Sequence, residues 1–294
     1  RDGDYGACIG SYGDKPQDMS GRRGQLWDIL FAGGTGLYYW TFGVGMHEDM
    51  TLSDKHARYQ LEVIEEFSDG IGKLFTGCER VFDPIAIVDS QESQICDELE
   101  QEGKPLTSQV NSMAAFMSIF EDLFLNAHII TEDELAAGWA QENGIKVLAL
   151  AGANSLSDEE IAAVREFAEG GGAVIADVLP GRRLPNGNLR ETPPLLDLFG
   201  VAYDASAPER LRGELRGAEG DVSFGPALAD PRVTAEGAVA SAELVSEVDE
   251  GPTSAQAVFS HEVGLGGAHL LNASFSTYDS YRSERLPQNL LQGQ

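Results

Sequence analysis

Short, continuous apolar segments in the middle of the chain constrain its fold most. They are "DPIAIVDS" (83–90), "IKVLALAGA" (145–153) and "AVIADVLPG" (173–181). A strand with one face in water alternates apolar and polar residues, whereas these segments are apolar almost throughout, as in sheets covered on both faces. Helix-forming segments separate them, so the sequence predicts an open, doubly wound α/β domain built on a parallel sheet.

The helices of this region carry readable start and stop signals. In "SLSDEEIAAVREFAEGGG" (155–172), Ser157 can cap the first turn while Glu160 reaches back to it, and Gly170–Gly172 end the helix. The segment "TSQVNSMAAFMSIFEDLFLN" (107–126) has a wide apolar face, and "AHIITEDEL" (127–135) predicts a short strand running into a helix.

Beyond about residue 200 the apolar segments become shorter and are separated by glycine turns. We expect these segments to complete the sheet, partly antiparallel, by about residue 278. They are "EGDVSFG" (219–225), "AVASAELVSEV" (238–248), "AQAVFSHEVG" (255–264) and "GAHLLNASFSTYD" (267–279).

The first eighty residues follow a different pattern. Residues 1–24 are rich in Gly and Asp and predict a loop, followed by a helix in "RRGQLWDILFAGG" (22–34) and a strand in "GLYYWTF" (36–42). After a second loop, "HARYQLEVIEEFSDGIGKLF" (56–75) predicts a helix. Its apolar face has spacings of three and four and consists of Leu61, Ile64, Phe67, Ile71 and Leu74.

The charge balance argues against partners with anionic surfaces. The 294 residues include 20 basic and 48 acidic side chains, a formal net charge of −28. Such a field repels phosphate backbones and anionic membranes, so we expect no nucleic-acid and no membrane partner. The acidic residues are spread over helices and loops, which favours a solvated surface suited to salty surroundings. A cation-binding surface is the alternative, but no motif supports it.

The cysteines give little structural information. Cys8, Cys78 and Cys96 form no CxxC pair, so the sequence predicts neither a disulfide framework nor a zinc site. Reduced thiols favour the cytoplasm, while a secreted location stays open. The sequence has no run of ~18 uninterrupted apolar residues and therefore no predicted membrane span.

No catalytic or cofactor motif is found in the α/β region. Gly170–Gly172 follow a helix and precede a strand, the reverse of the order in a phosphate-binding loop. No G-x-S-x-G elbow occurs, Cys96 has acidic neighbours that blunt a thiolate, and the five histidines are dispersed. We therefore predict no cofactor and no metal.

An aromatic strand end is the remaining candidate site. Tyr38, Tyr39, Trp40 and Phe42 are followed by a loop that contains His47, Glu48 and Asp49. Core packing explains Tyr38 and Phe42, and a solvated charged loop is the simpler interpretation of the polar residues. The alternative is a ligand site, in which the Trp40 ring stacks on a sugar while His47 and Glu48 bind its hydroxyls.

The succession of segments resembles a known family. "RRGQLWDILFAGGTGLYYWTFG" is similar to the last helix-to-strand step of the (β/α)₈ catalytic barrel in glycoside hydrolase family 42, the β-galactosidases. The segments "DPIAIVDSQES", "KVLALAGANSLSDEEIAAVREFAEGGGAVIADV" and "GLGGAHLLNASFSTY" resemble that family's trimerisation domain. That domain has a flavodoxin-like fold related to class I glutamine amidotransferases but lacks their catalytic Cys.

The resemblance implies three regions. Residues 1–80 would be the end of the barrel, 81–278 the amidotransferase-like domain, and 279–294 a linker to a further region. The Trp on the family's final strand helps to wall the sugar site and matches Trp40; His47 and Glu48 depart from the family's order and spacing. The family's catalytic Glu pair lies on the fourth and seventh barrel strands, of which the fourth would precede Arg1 and the seventh would end near Arg1. Asp2 and Asp4 do not match it, so no catalytic residue is assigned here.

The expected function is accordingly a part of a β-galactosidase-like hydrolase, inactive alone and trimeric when complete, with a carbohydrate substrate. A non-catalytic carbohydrate-binding or assembly protein is the second hypothesis. An active amidotransferase or hydrolase, working through the α/β domain, is the third.

Overall fold

The chain divides into two compact units, residues 1–81 and 82–294. The computed structural model describes residues 6–9, 27, 29–31, 34, 36–39, 49, 51, 65, 68, 70–99, 107–207, 210–217, 227–246, 254–275 and 278. Each unit is described by itself.

The first unit contains a pair of parallel strands. Strand β1 (Gly6–Ile9) pairs with β2 (Gly36–Tyr39), with Gly6 opposite Gly36. Strand β2 was predicted. The prediction of a continuous loop over residues 1–24 is wrong at β1. Four residues flanked by Gly and Asp carry almost no local strand signal, and the pairing with a strand about thirty residues later creates this one.

Helical residues of the first unit pack through aromatic rings. Residues 27 and 29–31 are helical, and the amide of Gly34 donates to the carbonyl of Ile29 at 2.8 Å, close to the predicted end at Gly33–Gly34. The Phe31 ring lies 5.7 Å from Trp27 and 5.2 Å from Phe75.

The predicted apolar face of the following helix is only partly correct. Glu65 and Ser68 are helical, and α1 (Ile71–Thr76) begins after the turn at Gly70. Ile71 and Leu74 are 40% and 63% exposed, whereas Phe75 packs on the rings. Gly70 has φ −135° and ψ −103°, so the backbone leaves helical geometry directly before α1. Leu61, Ile64 and Phe67 lie outside the described residues.

The second unit is built on one mixed sheet. In spatial order its described strands are β4 (His128–Thr131), β3 (Ile85–Asp89), β5 (Val147–Leu150), β6 (Ala173–Ala176), β13 (Gly266–Leu270), β12 (Ser254–Val263), β11 (Val239–Val245), β8 (Leu211–Gly217) and β9 (Ala227–Ala229). The pairings from β4 to β13 are parallel, and those from β13 to β9 are antiparallel. A separate antiparallel pair joins β7 (Val201–Tyr203) and β10 (Val233–Ala235).

Helices cover both faces of the parallel strands. They are α2 (Gln91–Leu99), α3 (Gln109–Asp122), α4 (Glu132–Ala136), α5 (Trp139–Glu142), α6 (Asp158–Glu169) and α7 (Leu196–Phe199). On one face Leu148 and Val174 pack with Val164 and Phe167 of α6, and on the other Ile87 packs with Phe116 of α3. The prediction of an α/β fold is therefore confirmed.

The late strands confirm the predicted antiparallel completion of the sheet. Leu211, Leu215 and Leu244 form a separate apolar cluster with Ala255 and Ala257 at that end. Strand β8 was not predicted, and the strand expected at 219–225 lies outside the described residues. Within the described part of the chain, no helix has the length and apolar content to cross a membrane.

The start of α6 confirms the predicted capping box. Ser157 Oγ accepts from the Glu160 amide at 3.2 Å, and the Ser157 amide donates to Glu160 Oε2 at 3.0 Å. Thr131 and Glu134 form a second box at the start of α4. Each box satisfies amides that have no partner within their helix.

Removing the Ser157 hydroxyl tests this cap. We expect Ser157→Ala to lower the free energy of unfolding by about 1 kcal/mol, because the Glu160 amide loses its acceptor. Ser157→Thr keeps the acceptor and serves as the matched control. Urea unfolding monitored by circular dichroism measures both variants, and an equal loss in Thr and Ala would show that the hydroxyl does not stabilise this helix.

Candidate functional site

The predicted sugar-site residues Trp40, His47 and Glu48 lie outside the described residues. Asp49, in the same loop, is described and exposed. Its Oδ1 accepts from the amide of Thr51 at 3.0 Å and from Thr51 Oγ1 at 2.6 Å. These hydrogen bonds, the side-chain one first, lower the pKa of Asp49 below its ordinary value. Asp49 is thus held ionised within a local turn, and the role of Trp40, His47 and Glu48 stays a prediction.

Among the described residues, the carboxyl edge of the parallel strands is the candidate ligand site. The chain passes from β3 outward to β4 and returns to β5 on the other side of β3. Open α/β sheets bind ligands outside the carboxyl ends of their strands where the order reverses in this way. That point lies between the ends of β3 and β5, at Asp89 and Leu150.

Polar side chains fill this position. Ser90 directly follows β3, and its Oγ donates to Glu132 Oε1, at the start of α4, at 2.6 Å. The same carboxylate oxygen accepts from the amide of Glu92, in the first turn of α2, at 3.0 Å. The amino end of a helix after the first strand is a site where such folds bind phosphate. Here the chain supplies the anion itself, through Glu132.

Ser93 links this cluster to the loop after β5. Its Oγ donates to the carbonyl of Ser155 at 3.2 Å and accepts from the amide of Ser155 at 2.9 Å. Both serines are buried. The two loops that border the switch point are therefore hydrogen-bonded to each other.

A second buried network lies at the end of β6. Asp177 is fully buried; its Oδ1 accepts from the amides of Gly152 at 2.8 Å and Val178 at 3.1 Å, and Ser112 Oγ of α3 donates to Oδ2. Thr107 Oγ1 lies 2.7 Å from Ser112 Oγ and extends the chain of bonds. Burial raises the pKa of Asp177, and the hydrogen bonds from Ser112 and Gly152 act against this rise.

Two glutamates beside the first network also have raised pKa values. Burial is the main cause for Glu92, and repulsion from Glu132 adds to it. Burial likewise raises the pKa of Glu160, against the hydrogen bonds from Ser157. The edge is therefore a desolvated acidic region in which ionisation is penalised.

The nucleophilic side chains described at this edge are buried or hydrogen-bonded. Cys96 is 1% exposed on α2, and the hydroxyls of Ser90 and Ser93 are engaged in the network. Among the described residues, no group of three or more His, Cys, Asp and Glu side chains could hold a metal ion. This edge is therefore closed by hydrogen bonds among its own side chains.

Sequence reasoning missed most of these residues, although a signal was present. Ser90, Glu132 and Asp177 each directly follow a strand of the parallel part of the sheet. Polar residues in that position of a parallel sheet meet at one edge. The sequence pointed to Ser157 and Glu160 for their cap, and to Ser155 and Cys96 as nucleophile candidates, but not to Ser90, Glu132 or Asp177.

Several solved structures are similar in fold to this chain. A glycoside hydrolase family 42 beta-galactosidase from G. stearothermophilus superimposes with a TM-score of 0.65 at 15% identity, over 92% of this chain and 40% of that one. The beta-galactosidase from Bacillus circulans sp. alkalophilus gives a TM-score of 0.69 at 14% identity, over 92% and 42%. That from the haloarchaeon Halorubrum lacusprofundi gives 0.62 at 17%, over 94% and 42%.

The chain shares its fold with part of these β-galactosidases. It spans about two fifths of their length. The sequence resemblance to glycoside hydrolase family 42 is thereby supported by structure. No family model and no curated protein matches the sequence.

The raised pKa values predict how stability depends on pH. A carboxyl group whose pKa is higher in the folded than in the unfolded state binds more protons when folded, so stability falls as the pH rises between the two values. We expect the free energy of unfolding to increase as the pH is lowered from about 7.5 to about 5, just above the ordinary range of carboxyl groups, because Glu92, Glu160 and Asp177 bind protons preferentially in the folded state. Asp49, Asp197 and Asp204 have lowered pKa values, so the stability that they contribute when ionised is lost only as the pH falls below the ordinary range of aspartate.

Glu160→Gln provides the variant for this measurement. Glutamine can still accept from the Ser157 amide in the capping box but does not titrate. Urea unfolding at the two pH values should show a smaller pH dependence in the variant, whereas Glu166→Gln, an exposed glutamate further along α6, should keep the wild-type slope. An unchanged slope in Glu160→Gln would contradict the assignment.

Cysteine accessibility tests whether the α/β domain works through a thiol. We expect Cys96 to react with a thiol reagent at least about tenfold more slowly than exposed Cys78, because only a deprotonated, accessible thiol attacks rapidly. Time-resolved labelling with peptide mass spectrometry separates the two, and Cys78→Ser is the control for peptide assignment. Rapid native labelling of Cys96 would support a catalytic thiol.

Proposed function

We propose that this chain is the carboxyl-terminal part of a β-galactosidase-like glycoside hydrolase. Residues 1–80 form the end of the catalytic barrel, 81–278 an amidotransferase-like oligomerisation domain, and 279–294 a connection to a further region. The observation that carries the proposal is the extent of the fold match, which takes in 92% of the chain in one superposition at a TM-score of 0.69.

The first unit supports the barrel assignment. A parallel strand pair joined through helical residues is the repeating step of a (β/α)₈ barrel, and β1 and β2 are such a pair. Sugar sites of these barrels lie at the carboxyl ends of the strands. Trp40 directly follows β2, so it would help to wall the site, with His47 and Glu48 in the loop beyond.

The second unit supports a scaffold rather than a second catalytic centre. Its switch point is closed by the bonds of Glu132 and Ser93, and Cys96 is buried. A domain of this kind can assemble subunits, and we propose a trimer of the complete protein as its product.

The reaction itself would use residues upstream of Arg1. Retaining glycosidases hold two carboxyl groups about 5–5.5 Å apart, one as nucleophile and one as acid/base. The complete protein would supply this pair, and residues 1–80 would help to bind and orient the sugar.

A second candidate is a non-catalytic carbohydrate-binding or assembly protein. The closed carboxyl edge favours it equally, since a scaffold needs no chemistry. The two candidates differ in whether the upstream sequence contains the Glu pair.

Activity measurements distinguish these candidates. We expect the complete reading frame to hydrolyse a nitrophenyl β-galactoside and the 294-residue chain alone to show no turnover. In the complete protein, Trp40→Ala should lower kcat/KM by roughly tenfold through lost ring contact, whereas Trp139→Phe, in the second unit, should leave it unchanged.

Two results would contradict the proposal. Turnover by the isolated chain would place the catalytic groups within it. A complete protein with no glycosidase activity, but with measurable sugar binding, would favour the non-catalytic candidate.

A further inference from the structure

Helix α3 ends in a backbone conformation that its sequence does not favour. The amide of Leu125 donates to the carbonyl of Phe120 at 2.8 Å, and the amide of Phe124 donates to the carbonyl of Glu121 at 2.9 Å. In a helix end of this type the residue just beyond the helix takes a left-handed conformation, and that position usually holds glycine. Here it holds Phe124, with φ of +59°. For a residue with a bulky side chain this conformation is strained.

The ring of Phe124 is also exposed. Its relative exposure is 95%, and that of the preceding Leu123 is 60%. Leu125, by contrast, packs with Phe116 and Phe120 in the core beneath α3. Strain in the backbone and an apolar ring in water are both unfavourable, and glycine at position 124 would avoid both. Strain of this kind points to a function for the side chain that causes it.

The chain returns to this end of α3 after β13. Tyr278 Oη donates to Asp122 Oδ2 at 2.8 Å, and the Tyr278 amide donates to the carbonyl of Phe275 at 2.8 Å. Asp122 is the last residue of α3 and directly precedes Leu123 and Phe124. The residues after Tyr278 therefore begin beside the exposed apolar pair.

The sequence beyond Tyr278 complements this surface. The segment "DSYRSERLPQNLLQGQ" (279–294) lies outside the described residues and has two arginines and two carboxylates, so it approaches an acidic surface without net repulsion. Arg282 and Arg285 are complementary to Glu121 and Asp122, both exposed at the end of α3. The segment also has three leucines, Leu286, Leu290 and Leu291. An extended chain covers about 3.3 Å per residue, so the first of these is within reach of the apolar pair.

We propose that residues 279–294 dock on the end of α3. The leucines of the segment cover Phe124 and Leu123, and its arginines lie beside Glu121 and Asp122. This goes beyond the function proposed above, in which the segment is only a connection: docking fixes the place on the second unit from which a further region starts. It involves no part of the catalytic barrel, so activity measurements and this inference are tested separately.

Hydrogen exchange of the 294-residue chain, followed by peptide mass spectrometry, tests the docking. We expect residues 279–294 to exchange at least about tenfold more slowly than a synthetic peptide of the same sequence. Phe124→Gly removes the ring and the strain together, so the fold is retained while the segment exchanges at the rate of the peptide. Leu265→Ser is the matched control, because it removes another exposed leucine, 87% exposed between β12 and β13, and should leave the exchange unchanged.

A variant of the segment tests the other side of the contact. Leu290→Ser combined with Leu291→Ser should release residues 279–294 to the exchange rate of the matching peptide, and adding Phe124→Gly should produce no further increase. Circular dichroism verifies that each variant keeps its fold.

Three results would overturn the proposal. The first is exchange of residues 279–294 at the free-peptide rate in the unaltered chain. The second is slow exchange that persists in Phe124→Gly, which would assign the segment to another surface. The third is concentration-dependent association in analytical ultracentrifugation that Phe124→Gly abolishes without a change in exchange, which would assign the ring to an interface between copies of the chain.

Discussion

The fold of the second unit depends on the hydrogen bonds that one buried carboxyl group, Asp177, accepts. Asp177 lies at the end of β6 with 1% of its surface exposed, and an uncompensated charge there would cost several kcal/mol. Its donors come from the loop after β5, from α3 and from its own turn. Three segments far apart in sequence must therefore take their native positions together. Gly152 makes this possible: its φ is +54°, and a Cβ there would lie 2.8 Å from the Cα of Gln109.

The network around Glu132 extends the same constraint to the other side of the switch point. An anion at a helix start is normally favourable, and in many doubly wound domains it belongs to a ligand. Here Glu132 holds that position and ties α4 to α2. The carboxyl edge of the sheet, where other open α/β proteins bind ligands, is here occupied by hydrogen bonds between α4 and α2. Among the described residues, this closure leaves the hydroxyls of Ser90 and Ser93 hydrogen-bonded and the Cys96 thiol buried, at an edge where open α/β sheets bind ligands.

Local signals in the sequence predicted the elements with local causes. The capping box of Ser157 and Glu160 requires only residues three apart, and the buried strands β3, β5 and β6 are apolar in themselves. Strand β1 could not be predicted, because it exists only through β2. Strand β8 carried a readable signal, since its buried Leu211, Gly213 and Leu215 alternate with exposed residues. The bond from Ser112 to Asp177 spans 65 positions and has no sequence signature.

Strand β13 is the one place where the two halves of the sheet meet. It pairs in parallel with β6 and antiparallel with β12, so its backbone completes both. Until β13 is in place, β6 and β12 each have an unpaired edge on the side that β13 later occupies. Unpaired strand edges can pair with strands of other molecules. Because β13 is the last of the described strands in chain order, the ribosome releases the other described strands before β13 can join them. A chain that ended before β13 would leave the edges of both β6 and β12 unpaired.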